Sequence, residues 1–548
     1  MFRAKFAILL VIVGCYCFDY EYRLPEDFVP LTYDVTLTLK SFSNKIFGMV
    51  QIQLQCKNST NSITLHAFPN FVTVEHALLE NKLLDEASQL DFPFTNTTRQ
   101  TITFEFPEEL IENHVYYLSI WYSTRFATQK NGIIKNRDFK SKGLWIHTLL
   151  EPRYARMVFP CFDEPKYRAS FRLELWLEGK WADPSYTALS SMPSRATQWN
   201  SNLTIWEFDP TPPIPPYIFN FAVGKFQSFC QQSNHIGREV CIFRLDGREE
   251  WNKTAEIVID KIGVYQKGMT EYLNTSSMAQ INVLAGPTKL RGMENYGLLL
   301  MNENLWPKTE KSLEIFMNTM YHELAHQCDC GKIRSKFPYI IRWFKDFWDD
   351  IWLSEGLTTF MSKARPIVFN SAWDFQTFPV VHGKWALDIP AIAYSKASAL
   401  LEMLNSVIGD SQMRTLLQTY VKKHQYKHAS TEDFLSILLE VTQDPSPLMF
   451  LKSWLYTGSQ PIVIIEYNST NQSFTVSQTG QVVELSANRW FIPIWIECLA
   501  GSMPEKLHWI LPTENLILPL QSLTSTNGTD SVAFNRNRSV YYQVSYRY

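Results

Sequence analysis

Two histidines and a glutamate stand together in His322-Glu323-Leu324-Ala325-His326. On a helix, residues i and i+4 lie one above the other, so both imidazoles reach a single metal ion. Glu323 sits beside them, where a carboxylate can take a proton from an attacking water. The pentapeptide is thus a near-complete recipe for a hydrolytic zinc site that still needs a third protein ligand, whereas alone the same residues also occur by chance on an ordinary helix. Glu355 is the candidate for that place. It continues an apolar stripe, where an unpaired carboxylate is costly, so its partner is either a basic side chain or a zinc ion.

These groups require two helices to position them. One is predicted to start near Pro307 and Thr309, with Leu313, Phe316, Met320 and Leu324 as its buried stripe and His322 and His326 projecting beside it. The other carries Phe344, Phe347, Trp348, Ile351 and Trp352 at helical spacing, and Glu355 follows on the same face. Gly356 permits close approach of another backbone. From about residue 27 to 228 the pattern alternates apolar and polar, as in Tyr33–Leu39 and Ser170–Trp176, with Pro212–Pro216 as a break. Between about 250 and 445 the period moves toward 3.6, and after Gly458–Pro461 alternation returns and runs to Tyr548. No tandem repeat is present.

A chain of 548 residues exceeds one hydrophobic core and implies roughly three or four domains. Hydrophobic residues at 45% and aromatics at 14% supply cores and exclude extended disorder. The net charge of −3, without a long run of one sign, gives no reason to expect nucleic acid or an anionic membrane surface as partner. Arg3 and Lys5 followed by the apolar Phe6–Val13 read as a secretory signal with cleavage near Cys15–Cys17, hence a secreted, extracellular protein. An uncleaved signal anchor, giving a type II membrane protein, is the alternative. Nine N-x-S/T sequons, at Asn58, Asn96, Asn202, Asn252, Asn274, Asn468, Asn471, Asn527 and Asn537, fit that route and predict a glycoprotein. An oxidising lumen permits Cys230 and Cys241 to close a short disulfide hairpin, whereas Cys328 and Cys330 flank one residue and are poorly placed to pair.

Four blocks in order resemble the aminopeptidase N-like zinc metallopeptidases, the gluzincin aminopeptidases. Arg291-Gly292-Met293-Glu294-Asn295 is similar to that family's exopeptidase motif, and His322–His326 is its zinc helix. Trp352-Leu353-Ser354-Glu355-Gly356 resembles its W-L-N-E-G, and Tyr394-Ser395-Lys396-Ala397-Ser398 its Y-x-K-G-A/S. Phe159–Pro165 and the ending Tyr541–Val544 also fit, so the likeness covers most of residues 25–548. It implies one Zn2+ per chain held by His322, His326 and Glu355, with Glu323 as general base and Tyr394 donating to the oxyanion. It further implies that Glu294, with Glu151, binds the free α-ammonium of a peptide, while Gly292, Met293 and Asn295 line the substrate as an edge strand.

The fold expected is multidomain α+β. It comprises a signal peptide at 1–17, an N-terminal β-rich domain at 18–229, a thermolysin-like zinc catalytic domain at 230–458 and a C-terminal β-sandwich at 459–548. The activity expected is removal of single residues from peptides with a free N-terminus, by water activated by zinc. Several departures from the family pattern are plain. The interval from His326 to Glu355 is longer than usual, with the surplus around Lys332–Arg342 predicted to bulge as a loop. The interval from Glu355 to Tyr394 is shorter, Arg291 and Leu149 replace smaller or polar residues, and no helical domain is expected after Tyr548. Those departures motivate an alternative: a catalytically impaired homologue that binds peptides or proteins outside the cell.

Overall fold

The computed structural model describes residues 23–81, 86–127, 131–138, 143–248, 251–275, 281–327, 348–362, 378–382, 391–424, 428–481, 485–498, 505–523, 532–535 and 540–547. The signal segment, Cys328, Cys330, the Lys332–Arg342 surplus, Phe344, Phe347, Asn527 and Asn537 lie outside the described residues.

Alternation builds the N-terminal half. In the strand Phe28–Lys40, Tyr33, Val35, Leu37 and Leu39 are buried while the residues between them are half-buried. This strand pairs antiparallel with Lys45–Cys56 and parallel with Ser170–Glu178, inside an eight-stranded sheet. Tyr33 stacks on Phe171 with ring centroids 4.6 Å apart, and its hydroxyl accepts from the Phe162 amide at 3.1 Å. The loop Phe159–Pro165 is thereby fixed to the sheet, and Arg156 Nε donates to the buried Asp163 carboxylate at 2.8 Å. A separate four-stranded sheet places Leu144–Leu149 between Gly132–Arg137 and Phe221–Gly224 and leads directly into Glu151. Within that strand Trp145 and His147 stack at 4.1 Å, and burial pushes the His147 imidazole down to about 3.

The next sheet has five strands, in the order Phe226–Ser233, Arg238–Leu245, Ile281–Gly286, Leu298–Asn302 and Gly292–Met293. Cys230 and Cys241 face each other across the first pair and are disulfide-bonded. Ile281–Gly286 and Leu298–Asn302 fall where periodicity predicts helix, while Gly292–Met293 is a strand, as the family resemblance implies. Ile281–Gly286 is buried along its whole length and pairs parallel on both sides, so it carries a continuous apolar run with no alternation to read.

Six helices are described: α1 Asn252–Leu273, α2 Glu310–Ala325, α3 Ile351–Ser362, α4 Ala391–Lys423, α5 Thr431–Thr442 and α6 Pro445–Tyr456. A 3-10 turn over Trp348–Asp350 precedes α3, so the helix proper begins later than its apolar spacing predicts. The α4 span is kinked at Gly409, whose φ of 80° suits glycine. Arg248 joins the β-rich half to the five-stranded sheet. Its guanidinium donates to Asp138 at 2.7 and 3.0 Å and to Glu303 at 2.8 and 2.9 Å. After α6 come a four-stranded sheet centred on Pro461–Asn468 and Ser473–Gly480 and a three-stranded sheet centred on Ile492–Cys498. Trp454 Nε1 on α6 donates to the Phe491 carbonyl at 3.1 Å and holds these sheets against the helices. No described helix is long and apolar enough to cross a membrane.

Candidate active site

The helix that carries His322 and His326 is built as its sequence asks. Thr309 caps α2 by accepting from the Ser312 amide at 3.2 Å, and the Ser312 hydroxyl accepts from the Thr309 amide at 2.8 Å. Phe316, Met320 and Leu324 are buried, which turns His322 and His326 toward α3. On α3, Trp352 Nε1 donates to Thr431 Oγ1 at 2.8 Å and fixes the helix rotation that points Glu355 inward. Gly356 lets α3 lie directly on α4: a side-chain carbon there would stand 2.5 Å from Ala397 Cβ.

Three donor atoms converge between the helices. His322 Nε2 lies 3.1 Å from Glu355 Oε2, His326 Nε2 lies 3.4 Å from the same oxygen, and the two Nε2 atoms are 3.3 Å apart. A tetrahedral ion with bonds of ~2.1 Å needs its ligand atoms roughly 3.4 Å apart, so this triangle fits zinc. The other ring nitrogens support that reading. His322 Nδ1 faces Thr359 Oγ1 at 3.4 Å, and His326 Nδ1 faces Thr358 Oγ1 at 3.3 Å and Ser354 Oγ at 3.5 Å. A hydroxyl accepting from each Nδ1–H leaves the Nε2 lone pair for a metal. Burial pushes the His322 imidazole below its ordinary value, which favours the neutral, ligating form. Burial would raise the Glu355 carboxyl, but the two imidazoles outweigh it and hold it well below the usual range. Glu355 Oε1 is buried without a hydrogen-bond partner. A cation held at this triangle would complete the set.

The remaining candidates surround this triangle. Carboxylate oxygens of Glu151, Glu294 and Glu355 lie within 4.8 Å of one another, and so do donor atoms of Glu294, Glu323 and His326. Carboxylates so crowded repel unless a cation lies among them, so the pocket suits an ammonium group. Among the described residues, Gly292 and Met293 form the outermost strand of the five-stranded sheet and pair only with Leu298–Asn302. This edge strand presses on Glu323, since a side-chain carbon at Gly292 would stand 2.2 Å from Glu323 Oε1. Asn295 is buried just beyond Glu294. Tyr394, in the first turn of α4, stacks obliquely beside His322 at 5.7 Å between ring centroids. Burial and the carboxylates of Glu355, Glu151, Glu294 and Glu323 push its hydroxyl well above its ordinary value, so it keeps its proton and can donate. Arg291 is exposed and donates to Thr319 Oγ1 at 3.4 Å. Leu149 is buried at the end of its strand.

Sequence reasoning missed Ser354, Thr358 and Thr359, whose only signal is their helical spacing beside Glu355. It also missed Gln327 and Asn220, which hold the Glu294 segment and carry no motif of their own.

Residues 29–218 match the peptidase M1 N-terminal domain and residues 387–454 the peptidase family M1 domain. The chain is 25% identical to aminopeptidase N of Lactococcus lactis subsp. lactis, an alignment covering 96% of this chain and 62% of that protein. It is 23% identical to human aminopeptidase Q over 96% of this chain and 57% of the relative. It is 24% identical to aminopeptidase M1 of Arabidopsis thaliana, again over 96% and 62%. With both models matched in order, the chain is similar to the proteins of peptidase family M1. It spans about three fifths of the length of these relatives.

Proposed function

We propose that this chain is a secreted zinc aminopeptidase that hydrolyses the N-terminal peptide bond of peptides. The observation that carries the reading is the juxtaposition of the His322–His326–Glu355 triangle with the carboxylates of Glu294 and Glu151. In this reading, residues 230–458 form a thermolysin-like catalytic domain and the C-terminal sheets a β-sandwich. Zinc at the triangle supplies Lewis acidity to the scissile carbonyl and the attacking water. Glu294 and Glu151 hold the substrate's ammonium, which leaves only the first peptide bond over the metal-binding triangle. Glu323 takes the proton of the attacking water and passes it toward the leaving amine. The protonated Tyr394 hydroxyl donates to the oxygen on which negative charge develops. Secretion is supported by the sequons: Asn58, Asn202, Asn252, Asn274, Asn468 and Asn471 are exposed, as a glycan requires.

Purified protein tests this directly. It should carry one zinc per chain and cleave aminoacyl arylamides. Glu323→Gln should keep the zinc and lose about 10²–10⁴-fold in kcat, the usual contribution of a general base. A folded, zinc-loaded sample with no turnover on a broad aminoacyl panel refutes the reading.

A further inference from the structure

We infer that Gln327 is a positioning residue for substrate recognition: its side-chain amide ties the segment bearing Glu294 to the helix that bears the metal-ligating histidines. The inference rests on the aminopeptidase reading above.

Gln327 follows His326 directly and is 1% exposed. Its backbone amide donates to the Leu324 carbonyl at 2.9 Å, which anchors it to the last turn of α2. From there Nε2 donates to the Glu294 carbonyl at 2.7 Å and lies 3.5 Å from the Asn295 carbonyl. The next two carbonyls are held from elsewhere. Tyr296 accepts from Asn220 Nδ2 at 3.1 Å, and Gly297 from the Asn282 amide at 3.2 Å. Asn220 is itself fixed by Ser191 Oγ at 2.8 Å. Each carbonyl from Glu294 to Gly297 thus has a donor outside the segment, and Gln327 is the donor among them that is anchored to the last turn of α2.

This arrangement sets the distance from Glu294 to His322 and His326. An exopeptidase needs that distance fixed, because it decides which peptide bond lies over the metal-binding triangle. Without the Gln327 bond the metal ligands keep their own supports on α3, while the Glu294 backbone loses its tie to α2. Ammonium binding is present in both the ground and transition states, so weakening it raises KM more than it lowers kcat.

The test uses zinc-loaded full-length protein and Gln327→Met, which keeps the side-chain length and removes the donor. A second variant, Gln327→Asn, keeps a buried amide but is one methylene too short for the bond. Both should hold one zinc per chain. For leucyl arylamide, KM should rise about tenfold while kcat stays within about threefold, the signature of lost uniform binding. In a Glu323→Gln background, where the free peptide is not cleaved, the melting-temperature gain given by Leu-Leu-amide over its N-acetylated form should shrink in both. Unchanged KM and unchanged amine discrimination overturn the inference. Loss of zinc or of fold in both variants also overturns it, since Gln327 would then serve the core rather than the amine site. If the Glu323→Gln protein with Gln327 intact binds the free and acetylated ligands equally, the exopeptidase reading itself fails, and the role of Gln327 with it.

Discussion

Thr359→Val removes one hydroxyl and keeps the side-chain shape. In the native protein that hydroxyl is 3.4 Å from His322 Nδ1. A buried ring N–H left without an acceptor is penalised, and loss of a metal ligand's outer partner typically weakens binding 10–100-fold. The distance is at the long end of hydrogen bonding, so the lower figure applies, about tenfold or ~1.4 kcal/mol. Thr358→Val is the internal comparison. It removes the contact at 3.3 Å to His326 Nδ1 but leaves Ser354 Oγ at 3.5 Å from the same nitrogen. Its effect should be smaller, about threefold or less, because a second acceptor remains. Zinc dissociation constants measured by competition with a chromophoric chelator read both variants without any reference to catalysis. Unchanged affinity in Thr359→Val, or a larger loss in Thr358→Val, refutes the idea that α3 hydroxyls orient the two imidazoles.

Other expectations follow from buried charge. Glu294→Gln, placed in a Glu323→Gln background so that neither peptide is cleaved, should erase the preference for a free amine over an acetylated ligand while zinc content holds, checked by calorimetry with the two peptide amides. Arg248→Met leaves the Asp138 and Glu303 carboxylates without their shared guanidinium, and breaking such a pair costs about 3–5 kcal/mol, readable as a shift of the urea midpoint. His147 is neutral when folded because burial lowers it from 6.5 to about 3. The unfolded chain therefore binds a proton that the folded one refuses. Stability from this group is complete above pH 6.5 and falls by about 1.4 kcal/mol per pH unit as pH drops toward 3. His147→Phe should flatten that acid limb in denaturation curves taken from pH 7 to 4.

The convergence of His322, His326 and Glu355 was legible in the sequence because helical spacing is a geometric rule: residues four apart share a face, and Glu355 continues an apolar stripe. Glu294, Glu151 and Tyr394 were legible only through family likeness, since nothing in the period of their segments marks them. The hydroxyls of Thr358 and Thr359 were overlooked because threonine within a helix looks ordinary until its neighbour's role is known. Gln327 and Asn220 were invisible for another reason. They act on backbone carbonyls, and a carbonyl leaves no trace in the residue alphabet. The strands Ile281–Gly286 and Leu298–Asn302 escaped because burial on both faces erases alternation.

The contact of Gly356 with Ala397 bears on how such a site tolerates change. Glu355 and Tyr394 each sit within a few residues of that contact, so their relative placement is decided by two backbones touching. The number of residues between them along the chain enters only as the entropy of closing a loop, which grows slowly with length. A lineage can therefore lose or gain segments in this interval without redrawing the centre, provided residue 356 stays small. A larger side chain there would prise apart the two helices and separate the carboxylate from the phenol. For this pair, one missing methyl group counts for more than the length of chain that joins them.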